Sequence, residues 1–116
     1  MENKVLEIIN ALAEFGKTET GTTRLSYSEE FIQAQNYLRE FMMSCDMQVQ
    51  IDDYGNLIGT YKGLNSDLPA VWSGSHLDTV PSGGNYDGVL GIAMPLACMS
   101  YWYSIGYRPQ CDVKVV

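Results

Sequence analysis

Residues 74–88 carry the sequence GSHLDTVPSGGNYDG, which separates two apolar segments of the chain. This stretch contains two aspartates, four of the eleven glycines and the only histidine. The apolar run at 70–72 leads into it, and a longer apolar segment at 89–105 leads out of it. The order predicts a strand, a glycine-rich loop and a helix, with polar side chains at the end of the strand.

The polar residues of this stretch have a spacing that suits a metal site. His76 and Asp78 are two residues apart, and residues i and i+2 of a strand point to the same face. An imidazole can bind Zn²⁺ through one ring nitrogen and donate its other N–H to a carboxylate, so Asp78 is a candidate partner of His76. Asp87 follows nine residues later, after a loop that Gly83 and Gly84 allow to turn sharply. Its carboxylate can return to the metal or bridge two ions.

A structural interpretation of the same residues stays open at this point. A single histidine near a strand end is most often only a polar residue, and Asp78 followed by Thr79 can simply end the strand. Asp87 can cap the following helix by accepting hydrogen bonds from its first N–H groups. Two protein ligands are also too few for a tight catalytic metal site.

The composition predicts one globular domain and argues against several classes of partner. A chain of 116 residues that is 46% hydrophobic and 18% charged is long enough for one core. Its formal net charge of −7 argues against binding to nucleic acid or to an anionic membrane surface. The apolar segment at 89–105 contains Pro95, Ser100 and Ser104 and is too short and too polar to cross a membrane.

The cysteines and the N-terminus predict a cytoplasmic protein. Cys45, Cys98 and Cys111 are far apart and odd in number, which is typical of thiols in a reducing compartment. The first residues lack the basic and apolar regions of a signal peptide.

Two amphipathic helices are predicted in the first half of the chain. The first covers about residues 4–15, with Asn3 as its cap and Gly16 at its left-handed end. The second covers about residues 29–44, with Ser28 as its N-cap.

Strands and loops are predicted between and after these helices. The polar, threonine-rich residues 17–27 predict an ordered loop anchored by Leu25 and Tyr27. Residues 47–52 alternate between apolar and polar, and with residues 57–61 they predict a β-hairpin.

The second half of the chain predicts a strand, a helix and a further strand. The strand at 70–76 has a nearly continuous apolar start, which predicts burial on both faces. The apolar helix covers about residues 88–105, and Pro95 should kink or split it. Residues 111–116 alternate again and predict a fourth strand.

Three motifs in the right order resemble the amidohydrolase branch of the M20 metallopeptidase superfamily. They are residues 74–92, the segment GTTRLSYSEEF at 21–31, and DYGNL at 53–57. This branch includes N-carbamoyl-L-amino acid hydrolase, allantoate amidohydrolase and β-ureidopropionase. The three motifs are spread over residues 21–92 of the 116.

The resemblance implies an α/β fold. Residues 1–116 are expected to form the N-terminal portion of a zinc-aminopeptidase-like, metal-dependent hydrolase catalytic domain. This portion is an incomplete mixed sheet of about four strands with three helices. In the family, the strand that begins like residues 113–116 leads into a Glu-Glu pair, of which one glutamate is the general base. That pair, the further histidine ligands and the lid domain that makes family members homodimeric are absent from this chain.

The resemblance also implies roles for individual residues. His76 matches a ligand of one metal ion, Asp87 matches the carboxylate that bridges two ions, and Asp78 matches the catalytic aspartate that supports the histidine. The Asp87–Gly88 peptide bond is expected to be cis, as it often is in the superfamily. Arg24 is expected near the mouth of the active site, with a structural salt bridge as the alternative.

The implied activity is hydrolysis of the C–N bond of N-carbamoyl amino acids or of related ureido compounds such as allantoate. The implied cofactors are two Zn²⁺ or Mn²⁺ ions per full site, and the implied partner is a small-molecule substrate. The 116 residues alone are expected to be inactive, because they carry only part of the site. The alternatives are an M20 peptidase or deacylase that acts on ordinary amides, and a non-catalytic truncated remnant.

Overall fold

The computed structural model describes residues 2–116, which form three helices, a four-stranded sheet and a two-stranded sheet. In chain order the elements are α1 (Glu2–Ala13), β1 (Lys17–Thr18), β2 (Gly21–Thr22), α2 (Glu29–Ser44), β3 (Gln48–Ile51), β4 (Leu57–Tyr61), β5 (Val71–Ser73), α3 (Val89–Ser104) and β6 (Val113–Val115). The expected α/β fold, with a mixed sheet of four strands and three helices, is confirmed. None of the helices within residues 2–116 has both the length and the apolarity that a membrane crossing requires.

The last strand lies in the interior of the main sheet. The strand order is β3-β4-β6-β5, with β3–β4 and β4–β6 antiparallel and β6–β5 parallel. The chain connects the parallel pair through α3, since parallel neighbours need a crossover connection. The ends of β5 and β6 therefore lie side by side, and the Ser75 N–H donates to the Val116 carbonyl at 3.1 Å.

α2 and α3 pack on one face of the main sheet. Leu57 and Tyr61 of β4 and Val113 and Val115 of β6 occupy alternate strand positions and are buried in the same core as the helices. α2 packs on β3 and β4, α3 packs on β5 and β6, and α1 packs against α3. The helical residues of this core cluster are Ile8, Ile9, Leu12, Ala34, Leu38, Met42, Val89, Ile92, Ala93, Leu96 and Met99.

The predicted ends of the first two helices are largely confirmed. Gly16 follows α1 with a φ of 85°, in the left-handed region that glycine tolerates. Ser28 caps α2, because its hydroxyl oxygen accepts a hydrogen bond from the Phe31 N–H at 3.2 Å. Asn3, however, lies inside α1 and is not its cap.

The predicted anchor Tyr27 holds the segment before α2 through its hydroxyl, which donates to the Tyr54 carbonyl at 2.8 Å, but neither predicted anchor is buried. Leu25 and Tyr27 are 48% and 70% exposed. The buried residues of this segment are Thr22 and Arg24, whose polar groups find partners in the interior. Part of the predicted loop also forms the antiparallel pair β1–β2.

The β3–β4 hairpin is confirmed, but the strand that precedes the glycine-rich loop is shorter and more exposed than predicted. It covers only Val71–Ser73, and Val71 and Trp72 are more than half exposed. Burial on both faces is therefore wrong for β5. The physical reason is that Val71 pairs with Val113 on the core face but at the edge of the sheet, whereas Trp72 lies on the opposite face beside Lys114.

Pro95 does not split α3, which is continuous from Val89 to Ser104. Ile92 and Leu96 are both buried, one on either side of Pro95. Their burial outweighs the helical hydrogen bond that the proline removes.

A buried carboxylate holds the start of β6. Asp112 is 7% exposed and accepts hydrogen bonds from the Lys62 ammonium at 2.6 Å, the Gly63 N–H at 2.9 Å and the Ser66 hydroxyl at 3.0 Å. These hydrogen bonds, chiefly that of Lys62, hold the pKa of Asp112 below its ordinary value of 3.8. The ionised carboxylate thus connects the β4–β5 loop to the interior of the sheet.

Gly88 permits a close contact between the glycine-rich loop and α3. It directly precedes the helix with a φ of 71°, which side chains with a Cβ rarely adopt. A Cβ at this position would lie 2.3 Å from the carbonyl oxygen of His76 and 2.7 Å from its Nδ1. His76 therefore packs directly on the backbone at the start of α3.

We expect Asp112→Asn to lower the free energy of unfolding by about 1–3 kcal/mol near pH 7, because an amide cannot replace a carboxylate that accepts three hydrogen bonds. Since the pKa of Asp112 is depressed in the folded state, the wild-type chain loses this stabilisation as the pH falls below about 4. The variant has no such contribution to lose. Urea unfolding at several pH values measures both effects, with the exposed Asp67→Asn as control. Equal acid dependence of the wild type and Asp112→Asn would contradict this expectation.

We expect Gly88→Ala to destabilise the fold by more than the roughly 1–2 kcal/mol that a left-handed backbone alone costs a residue with a Cβ. The additional cost arises because the backbone must move away from His76. Gly106→Ala is the matched control, since Gly106 has a φ of 66° but no atom within 4 Å of an added Cβ. Urea unfolding compares the two variants, and an equal loss of stability would show that the contact with His76 is not close.

Candidate metal centre

His76 lies three residues after the end of β5, in a segment without regular secondary structure, so its predicted place on a strand is wrong. Its predicted orientation relative to Asp78 nevertheless holds, because Leu77 between them is buried and both polar side chains stay on the outer side. Nδ1 of His76 lies 3.0 Å from the backbone oxygen of Asp78 and 3.2 Å from its Oδ1. Two acceptors beside Nδ1 favour the tautomer that carries the proton there and leave Nε2 unprotonated.

Asp87 faces the other ring nitrogen. Its Oδ2 lies 3.6 Å from Nε2 of His76, and the side chains of Asp87 and His76 are 87% and 52% exposed. This separation is too long for a hydrogen bond. Two ligand atoms bound to one tetrahedral Zn²⁺ ion at ordinary bond lengths are about 3.4 Å apart. The imidazole nitrogen and the carboxylate oxygen therefore fit one edge of a metal's coordination sphere.

The part of the chain that the structure describes supplies no third ligand to this pair. Within residues 2–116, no three side chains of His, Cys, Asp or Glu form a group that could hold a metal ion. Asp78 contacts the Nδ1 side of the imidazole, whereas Asp87 lies on the Nε2 side. A site built on His76 and Asp87 therefore needs further donors, either water or residues other than these.

Asp78 is held by Ser26, which the sequence reasoning did not single out. The Ser26 hydroxyl donates to Oδ2 of Asp78 at 2.7 Å. This hydrogen bond is the main reason why the pKa of Asp78 lies below its ordinary value, and the neighbouring His76 adds to the effect. The carboxylate stays ionised, with one oxygen towards Ser26 and the other towards His76. The only sequence signal for Ser26 was its place in the 21–31 motif.

Residues 20–26 run alongside residues 77–85, and we call this pairing the loop brace. Thr22 and Gly83 exchange backbone hydrogen bonds at 2.9 and 2.8 Å. The Thr79 N–H donates to a backbone carbonyl of the first segment at 2.9 Å. The glycine-rich loop is thus held by main-chain pairing along its length.

Side chains reinforce the loop brace. The Thr22 hydroxyl donates to Oδ1 of Asn85 at 2.5 Å, and the Thr79 hydroxyl donates to the Thr22 carbonyl at 3.0 Å. The hydroxyl oxygens of Thr20 and Ser82 lie 2.8 Å apart. The threonines that predicted only a polar loop are therefore partners of the glycine-rich loop.

Arg24 lies next to the candidate site and is 1% exposed. Its Nε donates to the Leu77 carbonyl at 2.9 Å, and its Nη1 donates to the carbonyls of Leu12 and Phe15 at 2.7 and 3.0 Å. Burial lowers the pKa of Arg24, and the charge of Asp78 opposes that shift. Its hydrogen-bond partners among the described residues are backbone carbonyls, so the expected alternative of a salt bridge is wrong.

The turn before α3 differs from what the resemblance implies. The Asp87–Gly88 peptide bond is trans, so the expected cis bond is wrong for this structure. The chain changes direction at Gly88 instead, through its left-handed φ. No side chain caps α3, so the alternative role of Asp87 as a side-chain cap is also wrong. The Asp87 carboxylate faces His76, and its backbone carbonyl accepts a hydrogen bond from Val89 at 2.8 Å.

A cavity of about 220 Å³ adjoins His76 and Asp78. Its walls include Phe31 and Leu38 of α2 and Tyr54 of the β3–β4 turn. Apolar walls beside a few polar groups are typical of sites for small organic molecules.

No protein-family model matches the chain. It is 43% identical over 106 residues to N-carbamoyl-L-amino acid amidohydrolase of Geobacillus stearothermophilus, which covers 90% of this chain and 26% of the relative. It is 37% identical over 117 residues to allantoate amidohydrolase of Bacillus subtilis, covering 100% of this chain and 28% of the relative. It is 30% identical over 109 residues to ureidoglycolate hydrolase of Arabidopsis thaliana, covering 93% of this chain and 23% of the relative.

The fold is similar to that of a solved amidase structure. A hydantoinase/carbamoylase family amidase from Burkholderia ambifaria superposes with a TM-score of 0.95 at 25% identity, covering 99% of this chain and 28% of that one. The 116 residues thus span 20% to 28% of the length of the curated relatives. Over that span, the chain belongs to the amidohydrolase branch of the M20 metallopeptidase superfamily.

Proposed function

We propose that these residues are the metal-binding part of an amidohydrolase that cleaves the C–N bond of ureido compounds, such as N-carbamoyl amino acids or allantoate. The observation that carries the proposal is the position of His76 between two aspartates. Its Nδ1 meets Asp78, and its Nε2 faces the carboxylate of Asp87 at 3.6 Å. The names of the relatives support ureido compounds as the substrate class.

Two residues of the site would hold an ion, and two others would orient its histidine ligand. His76 and Asp87 would hold Zn²⁺ or Mn²⁺, and the two oxygens of Asp87 allow it to bridge two ions. Such an ion, when bound, supplies Lewis-acid polarisation of the ureido carbonyl. Asp78 keeps the proton on Nδ1 of His76, so that the Nε2 lone pair is available as a ligand. Ser26 holds Asp78 in that position.

For the whole protein we propose a cytoplasmic homodimer that acts on a small molecule and binds neither nucleic acid nor membrane. The dimer would form through a lid domain outside these residues. The odd number and wide spacing of Cys45, Cys98 and Cys111 support a reducing compartment. The net charge of −7 supports the exclusion of nucleic acid.

We expect the 116-residue chain to bind Zn²⁺ weakly, because two protein ligands are fewer than the three of an ordinary catalytic zinc site. His76→Ala and Asp87→Ala should each abolish the heat of binding in a calorimetric titration with Zn²⁺. Asp67→Ala, which removes an exposed carboxylate located before β5 rather than after it, is the control and should bind as the wild type does. Tight Zn²⁺ binding that persists in His76→Ala would remove the basis of the proposed site.

We expect a protein that carries these residues at the length of the relatives to hydrolyse N-carbamoyl amino acids or allantoate faster than N-acetyl amino acids. Asp78→Asn should lower the metal-dependent rate by about 10- to 100-fold, the effect typical of a lost partner of a metal-bound histidine. Asp67→Asn should leave the rate unchanged.

The 116-residue chain alone should show no turnover of either substrate, because residues 2–116 bring only two ligands together. Faster cleavage of the N-acetyl compounds by the longer protein would assign the site to a peptidase or deacylase instead. Turnover by the 116 residues that disappears in Asp87→Ala would contradict the partial-site interpretation.

A further inference from the structure

One guanidinium joins the end of α1 to the peptide between the two polar residues of the candidate site. Nε of Arg24 donates to the carbonyl of Leu77, which lies between His76 and Asp78. Nη1 of the same side chain donates to the carbonyls of Leu12, in the last turn of α1, and of Phe15, two residues after α1. The side chain is almost completely buried, so these contacts are not exchanged with bulk water.

The surroundings of Arg24 match a charged and planar group. Its partners at Leu12 and Phe15 lie at the C-terminal end of a helix, where the helix dipole favours a cation. The guanidinium reaches carbonyls on two sides at once because its donors form a rigid fork. A lysine ammonium is a single point charge and cannot occupy both sides in the same way.

The Leu77 carbonyl determines where Asp78 lies. Leu77 is buried, and its carbonyl is part of the peptide group that leads into Asp78. Both acceptors beside Nδ1 of His76, the backbone oxygen and Oδ1, belong to Asp78. A rotation of the Leu77–Asp78 peptide would therefore move both acceptors away from the imidazole together. The brace contact between the Arg24 backbone and Thr79 holds the other side of Asp78.

We propose that Arg24 is a positioning residue that sets the tautomer of His76. By holding the Leu77 carbonyl, it keeps both Asp78 acceptors at Nδ1, so that the proton stays on Nδ1 and Nε2 stays unprotonated towards Asp87. The consequence for metal binding rests on the proposed function. The effect on the imidazole does not, because it exists in the chain without a metal.

The tautomer can be observed directly, because His76 is the only histidine of the chain. Long-range ¹H–¹⁵N correlation spectra of the metal-free, ¹⁵N-labelled 116-residue chain, recorded along a pH series to its alkaline limit, distinguish the protonated from the unprotonated ring nitrogen. In the wild type we expect the pyridine-type signal at Nε2. In Arg24→Lys and Arg24→Met we expect that signal to move to Nδ1 in a large fraction of molecules. Arg108→Met, which removes another arginine, should leave the spectrum of His76 unchanged.

The outcomes separate this inference from the proposed function. Tautomer populations that are the same in the wild type and in folded Arg24→Lys and Arg24→Met would overturn the positioning role, whatever happens to Zn²⁺ binding. A shifted tautomer without any Zn²⁺ binding by the wild type would support the positioning role and count against the metal site. If the positioning role and the metal site are both correct, Arg24→Lys should weaken Zn²⁺ binding about 10-fold or more.

If neither Arg24 variant folds, the wild-type chain still tests the inference. The Arg24 Nε–H must then exchange slowly with solvent, and a coupling across the hydrogen bond to the Leu77 carbonyl should be measurable. Rapid exchange of this N–H would show that the guanidinium does not hold the Leu77 carbonyl and would overturn the inference.

Discussion

Main-chain pairing across the loop brace is the constraint on which the candidate site depends. A glycine-rich loop loses much conformational entropy when it becomes ordered, and it has few large side chains to bury in return. The exchange of hydrogen bonds between Thr22 and Gly83 supplies the missing stabilisation locally and satisfies backbone groups that would otherwise be without partners. His76 and Asp87 are eleven residues apart in sequence, and in the ordered loop Nε2 of His76 lies 3.6 Å from Oδ2 of Asp87.

Local signals predicted the parts of the fold that local physics determines. The helical spacing of apolar residues, the Ser28 cap and the turn between β3 and β4 each act over a few residues, and all three are present. The exposure of β5 could not be predicted in the same way. The sequence pattern of an apolar strand is the same whether the strand lies inside a sheet or at its edge. The position of β5 is set by its pairing with β6. For the same reason, the threonine-rich segment revealed nothing of its long-range pairing.

The relative placement of His76 and Asp78 was predicted, but for the wrong reason. His76 and Asp78 do share one side of the chain, yet burial of Leu77 places them there and no strand is involved. Ser26 and the carbonyl partners of Arg24 could not be inferred, because each contact joins residues about fifty positions apart or lies at a helix end with no charge pattern. Polar contacts of this kind depend on how the folded backbone brings distant residues together.

The interior position of β6 also determines when the fold can form. Its ladders pair residue 59 with residue 115 and residue 71 with residue 113, so the sheet closes only after long loops have been ordered. The β3–β4 hairpin and α2 can form early, whereas β5 has no other strand partner within residues 2–116 until β6 inserts beside it. During that interval an apolar strand with Trp72 on it has both edges open to pairing with other chains. Pairing with β6 therefore closes an edge of β5 that is otherwise open to intermolecular pairing.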